Sequence, residues 1–396
     1  MVNLTGQALA VKSKSSRPHK TAASICLCMI VRDEERVIVR CLDSVRPFIT
    51  HWAIVDTGST DQTVGLIQQA LKSLPGEFRS EPWTGNFSFH RNQCLALANT
   101  ISDDTDSLLL FIDADETLVV HDLPKFQRMI RSRSILFWWA TDGDWRFRKL
   151  GIVAANQVVS WRGAVHESLL LKTDFRVGNV VQRVAEVIYG NDGIRRRTQG
   201  THATDVNLLA GELAERTNYR GLLFLALTHE AAGEMELAAV NFRTASELIN
   251  LPFDERWQSL WGLGRVLLHV DVSEACKVLT EANRLAPKRA EPIVALAEIA
   301  RMQGQFIVAR VLAEAALTCP EPNATSMYDK SAFGWRAVDE LCLSAFATCD
   351  YYAMRRAAAA YDDLLSRGTV PDSELSRILS NLELTRRTVS RQSESS

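Results

Sequence analysis

Apolar positions along the chain fall into two kinds of pattern. Ser24 to Val31 and Leu108 to Ile112 are continuously apolar over a strand's length, and Trp52 to Val55 is a shorter run of the same kind. Between them the apolar residues recur at helical spacing: Val37, Cys41, Leu42 and Val45, then Val64, Ile67 and Leu71. Strand-length runs separated by helix-period stretches predict β-α-β units. Phe78 to Trp83 reads as a further short strand and Phe87 to Ala98 as a helix. The alternation implies a parallel sheet with helices on both faces. In such sheets ligands bind beyond the carboxyl ends of the strands. Here each of those ends is acidic: Arg32-Asp33-Glu34-Glu35, Asp56-Thr57-Gly58-Ser59-Thr60-Asp61 and Asp113-Ala114-Asp115-Glu116. Gly58 supplies a turn, and Ser59, Thr60 or Asp61 can cap the helix that follows.

The pattern changes near residue 203. Alanine becomes about twice as frequent and the β-branched runs disappear, which predicts helices. A repeat runs through this half. Gly233, Ala238, Phe242 and Ala245 recur as Ala275, Leu279, Ala282 and Pro287, then as Gly304, Ala309, Ala313 and Ala316. The core positions keep a spacing of 4 and then 3, and the units are offset by 37 and then 34 residues. Small residues there let paired helices pack closely, and a period near 34 is that of tetratricopeptide repeats. The consensus Trp and Tyr positions are filled approximately, by Leu222 and His229, and an irregular fourth unit is expected over Trp335 to Leu365. The predicted organisation is a disordered tail (1–22), an α/β domain (23–203), an all-α repeat domain (204–385) and a second disordered tail (386–396).

Composition narrows the functions. The chain of 396 residues is 46% hydrophobic and 23% charged, as in an ordinary globular protein of two domains. A net charge of -2 gives no global basic excess to recruit nucleic acid. None of the apolar runs approaches the ~18 residues of a membrane span. The eight cysteines lack zinc-ligand spacing, and two of them, Cys26 and Cys28, sit in an apolar run, so a reducing cytoplasm is the expected setting.

Asp113-x-Asp115 behind a buried strand is the sharpest chemical signal. Carboxylates two apart on extended chain face the same way, so the pair can share Mg²⁺ or another hard cation that leans on substrate phosphates. An isolated D-x-D is equally a solvated strand end, but it does not stand alone. Ser24 to Glu35, Ile54 to Asp61, Trp83-x3-Phe87-Ser-Phe-His-Arg91-Asn92 and Leu110 to Glu116 follow in order. That series resembles the family 2 glycosyltransferases, in particular the bacterial branch with a C-terminal helical-repeat extension, near the S-glycosyltransferases of bacteriocin peptides. The resemblance implies a Rossmann-like nucleotide-diphospho-sugar domain, Mg²⁺ or Mn²⁺ as cofactor, and transfer with inversion to a peptide, protein or glycan acceptor. It would put Asp56 on the nucleobase, Val31, Arg32 and Glu34 along the nucleoside, and Arg91 beside the nucleotide. Asp113 would lie near ribose or metal, and Asp115 would ligate the metal. Gly163-Ala-Val-His166-Glu167 resembles the family's G-x-x-H-E segment, which would make Glu167 the base and His166 a metal or diphosphate contact, with Glu116 as fallback base. Arg146 and Arg148, two apart in a Trp-rich stretch, can face the diphosphate from one side of a strand.

Two departures stand out. The usual Lys-Asn is Arg32-Asp33 here, and the family's His-x-Gly is replaced by Tyr189-Gly-Asn-Asp-Gly193. Two other readings stay open. Phe111 to Leu118 also fits the D-x-D-x-[TV]-[LV] motif of haloacid-dehalogenase-type phosphatases, with Asp113 as nucleophile and Asp115 as acid. That motif normally follows its domain's first strand, whereas a β-α-β-α unit precedes it here. A repeat scaffold with an inactive transferase domain is the other reading. The repeats are expected to position the acceptor or to mediate a homo-oligomer.

Overall fold

The computed structural model describes residues 24–101, 107–132, 136–172, 184–190, 192–198, 200–215, 218–322 and 327–395. The tail expected at 1–22 lies outside them. The N-terminal half opens with β1 (Ile25–Val31), α1 (Ile38–Val45), β2 (His51–Asp56), α2 (Thr63–Leu71), β3 (Gly76–Ser80), α3 (Phe87–Ile101) and β4 (Leu108–Phe111). It continues through β5 (Glu116–Val120), α4 (Leu123–Arg131), β6 (Leu136–Asp142), β7 (Trp145–Ala154), β8 (Val158–Arg162), β9 (Ser168–Leu171), β10 (Ala185–Tyr189) and the single turn α5 (Ile194–Arg197).

The main sheet has the order β3-β2-β1-β4-β7-β6-β10-β5. Strands β3, β2, β1 and β4 are parallel, with the apolar runs forming β1, β2 and β4 and the expected short strand at Phe78 to Trp83 lying at Gly76–Ser80. The second part is not. β7 runs antiparallel to both β4 and β6, and β10 antiparallel to β5. The sheet is therefore mixed, which corrects the all-parallel expectation. The cause is local: Asp142 pairs with Trp145 across the two-residue turn Gly143-Asp144, with Gly143 at φ 58°, and a connection that short can only join antiparallel neighbours. One face of the sheet buries Leu27, Met29, Ile54 and Leu110 with Ile38, Leu42, Ile67 and Phe126 from the helices above. The other buries Cys26, Cys28, Val55 and Phe111 against Cys94, Leu97 and Ala98 of α3. The eight cysteines are all free.

The second half is helical: α6 (Thr201–Glu215), α7 (Tyr219–Ala231), α8 (Met235–Ser246), α9 (Phe253–Leu267), α10 (Val272–Leu285), α11 (Ala290–Met302) and α12 (Phe306–Leu317). After the strand β11 (Met327–Asp329) come α13 (Trp335–Ala347), α14 (Tyr351–Ser366) and α15 (Asp372–Ser395). Helices α7 to α14 form successive pairs. Ala238, Phe242 and Ala245 of α8, Ala275, Leu279 and Ala282 of α10, and Ala309, Ala313 and Ala316 of α12 are all buried, as the repeat spacing requires. Ala353 and Ala357 of α14 occupy the matching positions of the fourth pair and are fully buried. The boundary expected at 203/204 falls inside α6. The disordered tail expected from 386 is corrected as well: α15 runs to Ser395, and half-buried Val389 continues, past 386, the stripe of Ile378, Leu382 and Thr385. Among the described residues no helix is long and apolar enough to cross a membrane.

The two halves share structure. β11, which lies between the third and fourth helix pairs, adds to the main sheet by pairing antiparallel with the first residues of β7. The β6–β7 turn docks beside it: Trp145 packs on Trp261 of α9 at 5.1 Å, Arg265 lies over both rings, and Lys330 donates its amide to the Asp144 carbonyl.

Candidate active site

The acidic strand ends converge as the topology demands, and the ends of β1 and β2 lock together. Thr57 donates both its amide and its hydroxyl to the Val31 carbonyl. Asp33, at φ 51°, accepts from the Thr60 amide and hydroxyl, while its own amide donates to Ser59. Asp56 is 4% exposed, and its carboxylate accepts from the Gly58 and Ser59 amides at 3.1–3.2 Å. Gly58 takes φ 105°, which lets the chain fold back over that carboxylate. Asp56 thus builds the turn. Arg32 is half exposed and 3.8 Å from Asp33, and Glu34 accepts from the Ile194 amide.

A second group forms one continuous chain of charges. Glu116, fully buried at the start of β5, accepts from the Asp113 amide at 2.8 Å and from Lys149 Nζ at 2.5 Å. Lys149 of β7 also reaches Asp113 Oδ2 at 2.6 Å, and Arg91 of α3 reaches Asp113 Oδ1 at 2.8 Å. Arg91 Nε then donates to Glu167. The order Glu116–Lys149–Asp113–Arg91–Glu167 alternates in sign, and each member but the ends has two opposite partners. Burial alone would raise the Asp113 carboxyl, but Arg91 and Lys149 override it and hold it well below the usual carboxylate range. Burial likewise works against the Lys149 ammonium, and the charges of Asp113 and Glu116 reverse that and keep it protonated. Glu116, the most enclosed of the carboxylates, is pushed up by burial. Rings cover the cations: Lys149 sits 5.2 Å from the Tyr189 centroid and Arg91 5.1 Å from that of Trp161.

Asp113 and Asp115 do not face the same way. The segment between β4 and β5 is a turn, so the two-residue alternation of extended chain does not apply. Asp113 turns to the cations, while Asp115 packs against Gly193, where a Cβ would stand 2.6 Å from its Oδ2. Its carbonyl accepts from the Gly190 amide and from Arg40, which also binds Asp192. Gly190 and Gly193, from the segment that stands in place of the family's His-x-Gly, therefore pack against Asp115. Among the described residues no three His, Cys, Asp or Glu side chains gather round a metal-sized point. A hard cation that takes one carboxylate, water and the donor's phosphates needs no such cluster, and the oxygen donor at Asp115 fits one.

His166 and Glu167 lie in the Gly163–Glu167 loop between β8 and β9. His166 adopts φ 50° and stacks face to face on Phe224 of α7, 4.2 Å between centroids, while Glu167 turns to Arg91. Packing against α7 desolvates the imidazole and lowers its pKa to about 4. The metal or diphosphate contact expected of His166 is not what its surroundings provide. Arg146 binds Glu186 at 2.8 Å, and Arg148 lies in the field of Asp254, so neither belongs to the charge chain. The residue between motifs that does belong is Lys149, which the spacing argument passed over. Its signal was its register: Lys149 shares a face of β7 with Phe147, and an ammonium on an apolar strand face must have carboxylate partners.

Residues 26–172 match the model of glycosyl transferase family 2. This segment is a family 2 glycosyltransferase domain. The matched span holds Asp56, Arg91, Asp113, Asp115, Glu116, Lys149 and Glu167, so the whole charge chain lies within the family 2 domain. The chain is 30% identical over 103 residues to the SPbeta prophage-derived glycosyltransferase SunS of Bacillus subtilis, covering 26% of this chain and 22% of the relative. It is 38% identical over 98 residues to a TPR repeat-containing protein of Synechococcus elongatus, covering 25% of this chain and 22% of the relative. The matches thus span less than a quarter of either relative's length. The crystal structure of S. aureus TarS covers 74% of this chain and 55% of its own, at 13% identity and a TM-score of 0.34.

Proposed function

We propose that this chain moves a sugar from a nucleotide-diphospho-sugar to a nucleophilic acceptor, with inversion at the anomeric carbon. The observation that carries the reading is the family 2 match over residues 26–172 together with a buried alternating charge chain, beyond the strand ends, that terminates in Glu167. Glu167 takes the acceptor proton as the new bond to the anomeric carbon forms and the bond to the leaving diphosphate breaks. Arg91, shared between Asp113 and Glu167, holds the base in register with the strand end. Glu116 is enclosed and committed to Lys149 and the Asp113 amide, so it holds the site together. Asp115 is the residue that would hold Mg²⁺ or Mn²⁺, which supplies counter-charge to the departing diphosphate. Asp56 and the Val31–Glu34 segment form the nucleoside wall. The acceptor is a peptide, protein or glycan, and the free cysteines suit a reducing cytoplasm.

The phosphatase reading needs Asp113 open for attack on phosphorus, and both of its oxygens are taken by cations. A thermal-stability screen of nucleotide-sugars with Mn²⁺ tests the proposal, because selective binding raises the melting temperature. Stabilisation by one donor class, with release of its nucleoside diphosphate, is the expected result. Release of inorganic phosphate from simple phosphomonoesters, with no nucleotide-sugar response, would replace the proposal with the phosphatase.

A further inference from the structure

The helical half reaches the loop that carries Glu167. The Ala164 amide donates to Glu212 of α6, and the Ala164 carbonyl accepts the amide of Phe87 at 2.8 Å. Two residues on, the His166 carbonyl accepts from Arg220 of α7 through Nε at 3.3 Å and Nη2 at 2.9 Å. Arg220 also lies over the Phe224 ring, 4.7 Å from its centroid, and that ring stacks on His166. His166 stands at φ 50°, a conformation that non-glycine residues rarely hold without outside support. The support comes from one helical turn of α7, where residues four apart lie on the same face.

We infer that Arg220 and Phe224 of α7 are positioning residues for Glu167, so that the first helices of the repeat region are part of the transferase site. This rests on the reading of Glu167 as the base. Arg220 fixes the His166 carbonyl, immediately before Glu167, and Phe224 fixes the His166 ring. Together they hold His166 in its left-handed conformation and send the Glu167 side chain to Arg91 instead of solvent. The expected acceptor-guiding role of the repeats thus gains a specific form: α7 sets where the base stands.

The test uses the full chain with Arg220→Ala, Phe224→Ala, Phe224→Tyr and Glu167→Gln. Turnover is read as nucleoside diphosphate released from whichever of UDP-, GDP- and dTDP-glucose stabilises the protein. A loosened base costs turnover, while the donor wall is untouched. The two alanine variants should lose about 10- to 100-fold in kcat and keep donor affinity within about two-fold. Phe224→Tyr, which restores an aromatic face, should recover most of the loss. Combined with Glu167→Gln, Arg220→Ala should add little, because both changes remove the same contribution. Losses that multiply would overturn the inference by showing that Arg220 acts on its own. Amide exchange gives an independent readout: Phe87 and Ala164, which bond into and out of this loop, should exchange faster in both alanine variants. Unchanged exchange would overturn the clamp itself. If Glu167→Gln leaves turnover intact while exchange rises, the clamp stands and the base assignment falls.

Discussion

The two halves of the molecule use ion pairs in opposite ways. In the transferase half, the charges of Glu116, Lys149, Asp113, Arg91 and Glu167 come from four separate places in the chain and meet in a single string. In the helical half the pairs are spread out, and several join one helix pair to the next. Arg265 binds Glu230, Arg243 binds Glu274, Arg301 binds Glu340, Arg336 binds Glu298 and Arg310 binds Asp350, all about one repeat apart. The same chemistry gives a stitch where it is distributed and a site where it converges. A stitch can lose one member and keep its neighbours, because each bond touches only adjacent units. A convergent string is less forgiving, since removing Lys149 or Arg91 takes one of the two cations from Asp113 and the only cation from an enclosed end carboxylate.

That difference sets an order of effects. The largest is expected at Asp115, where Asp115→Ala or EDTA should remove measurable transfer, because the leaving diphosphate loses its counter-charge. Full activity in chelator would take the metal out of the scheme. Next, Glu167→Gln should lower kcat by ~10² to 10⁴ with little change in donor affinity, as measured by initial rates and calorimetry. Lys149→Met should cost about 3–5 kcal/mol of stability in urea unfolding, by leaving the enclosed Glu116 without a cation and Asp113 with Arg91 alone. Pairing it with Glu116→Gln should return part of that loss, and failure to do so would mean that the string is not a cooperative unit. In the helical half, Arg265→Ala removes a half-buried pair and its cover over Trp145 and Trp261, and should cost only about 1–2 kcal/mol. Arg387→Ala on exposed α15, where the partner is Glu383 one turn away, should cost at most about 0.5 kcal/mol.

Much of this was readable in the chain. Three of the four parallel strands followed from continuous apolar runs, and the helix pairs from alanines spaced by 4 and 3. Both are local periodicities, and burial has no choice but to follow them. The antiparallel return of β7 hung on a two-residue turn at Gly143, a signal too short to outweigh the alternation before it. The end of α15 was missed because Arg386, Arg387 and Arg391 hide a stripe that surfaces only every third or fourth residue. At the site, Arg91, Asp113 and Glu167 were legible from motifs, but their bonding was not. Lys149 carries no motif, and its role exists only once β7 lies beside β4. His166 was assigned by its chemistry, whereas its φ of 50° and the ring of Phe224, 58 residues later, decide where it goes.

The strand β11 has a consequence in time. It pairs Met327 with Phe147, partners 180 residues apart, so the sheet of the first half is finished by a piece of the second. At a synthesis rate of about 5–20 residues per second, a nascent chain carries the outer edge of Trp145, Arg146 and Phe147 uncovered for roughly 10 to 40 seconds. An open edge bearing two aromatic rings is an invitation to pair with the wrong chain. Arg146 between those rings, and Arg148 just beyond, place charge along that edge, the usual guard on a strand that must wait for its partner. The ribosome and any chaperone beside it therefore meet a protein whose first sheet gains its last strand only when residues 327–329 have emerged.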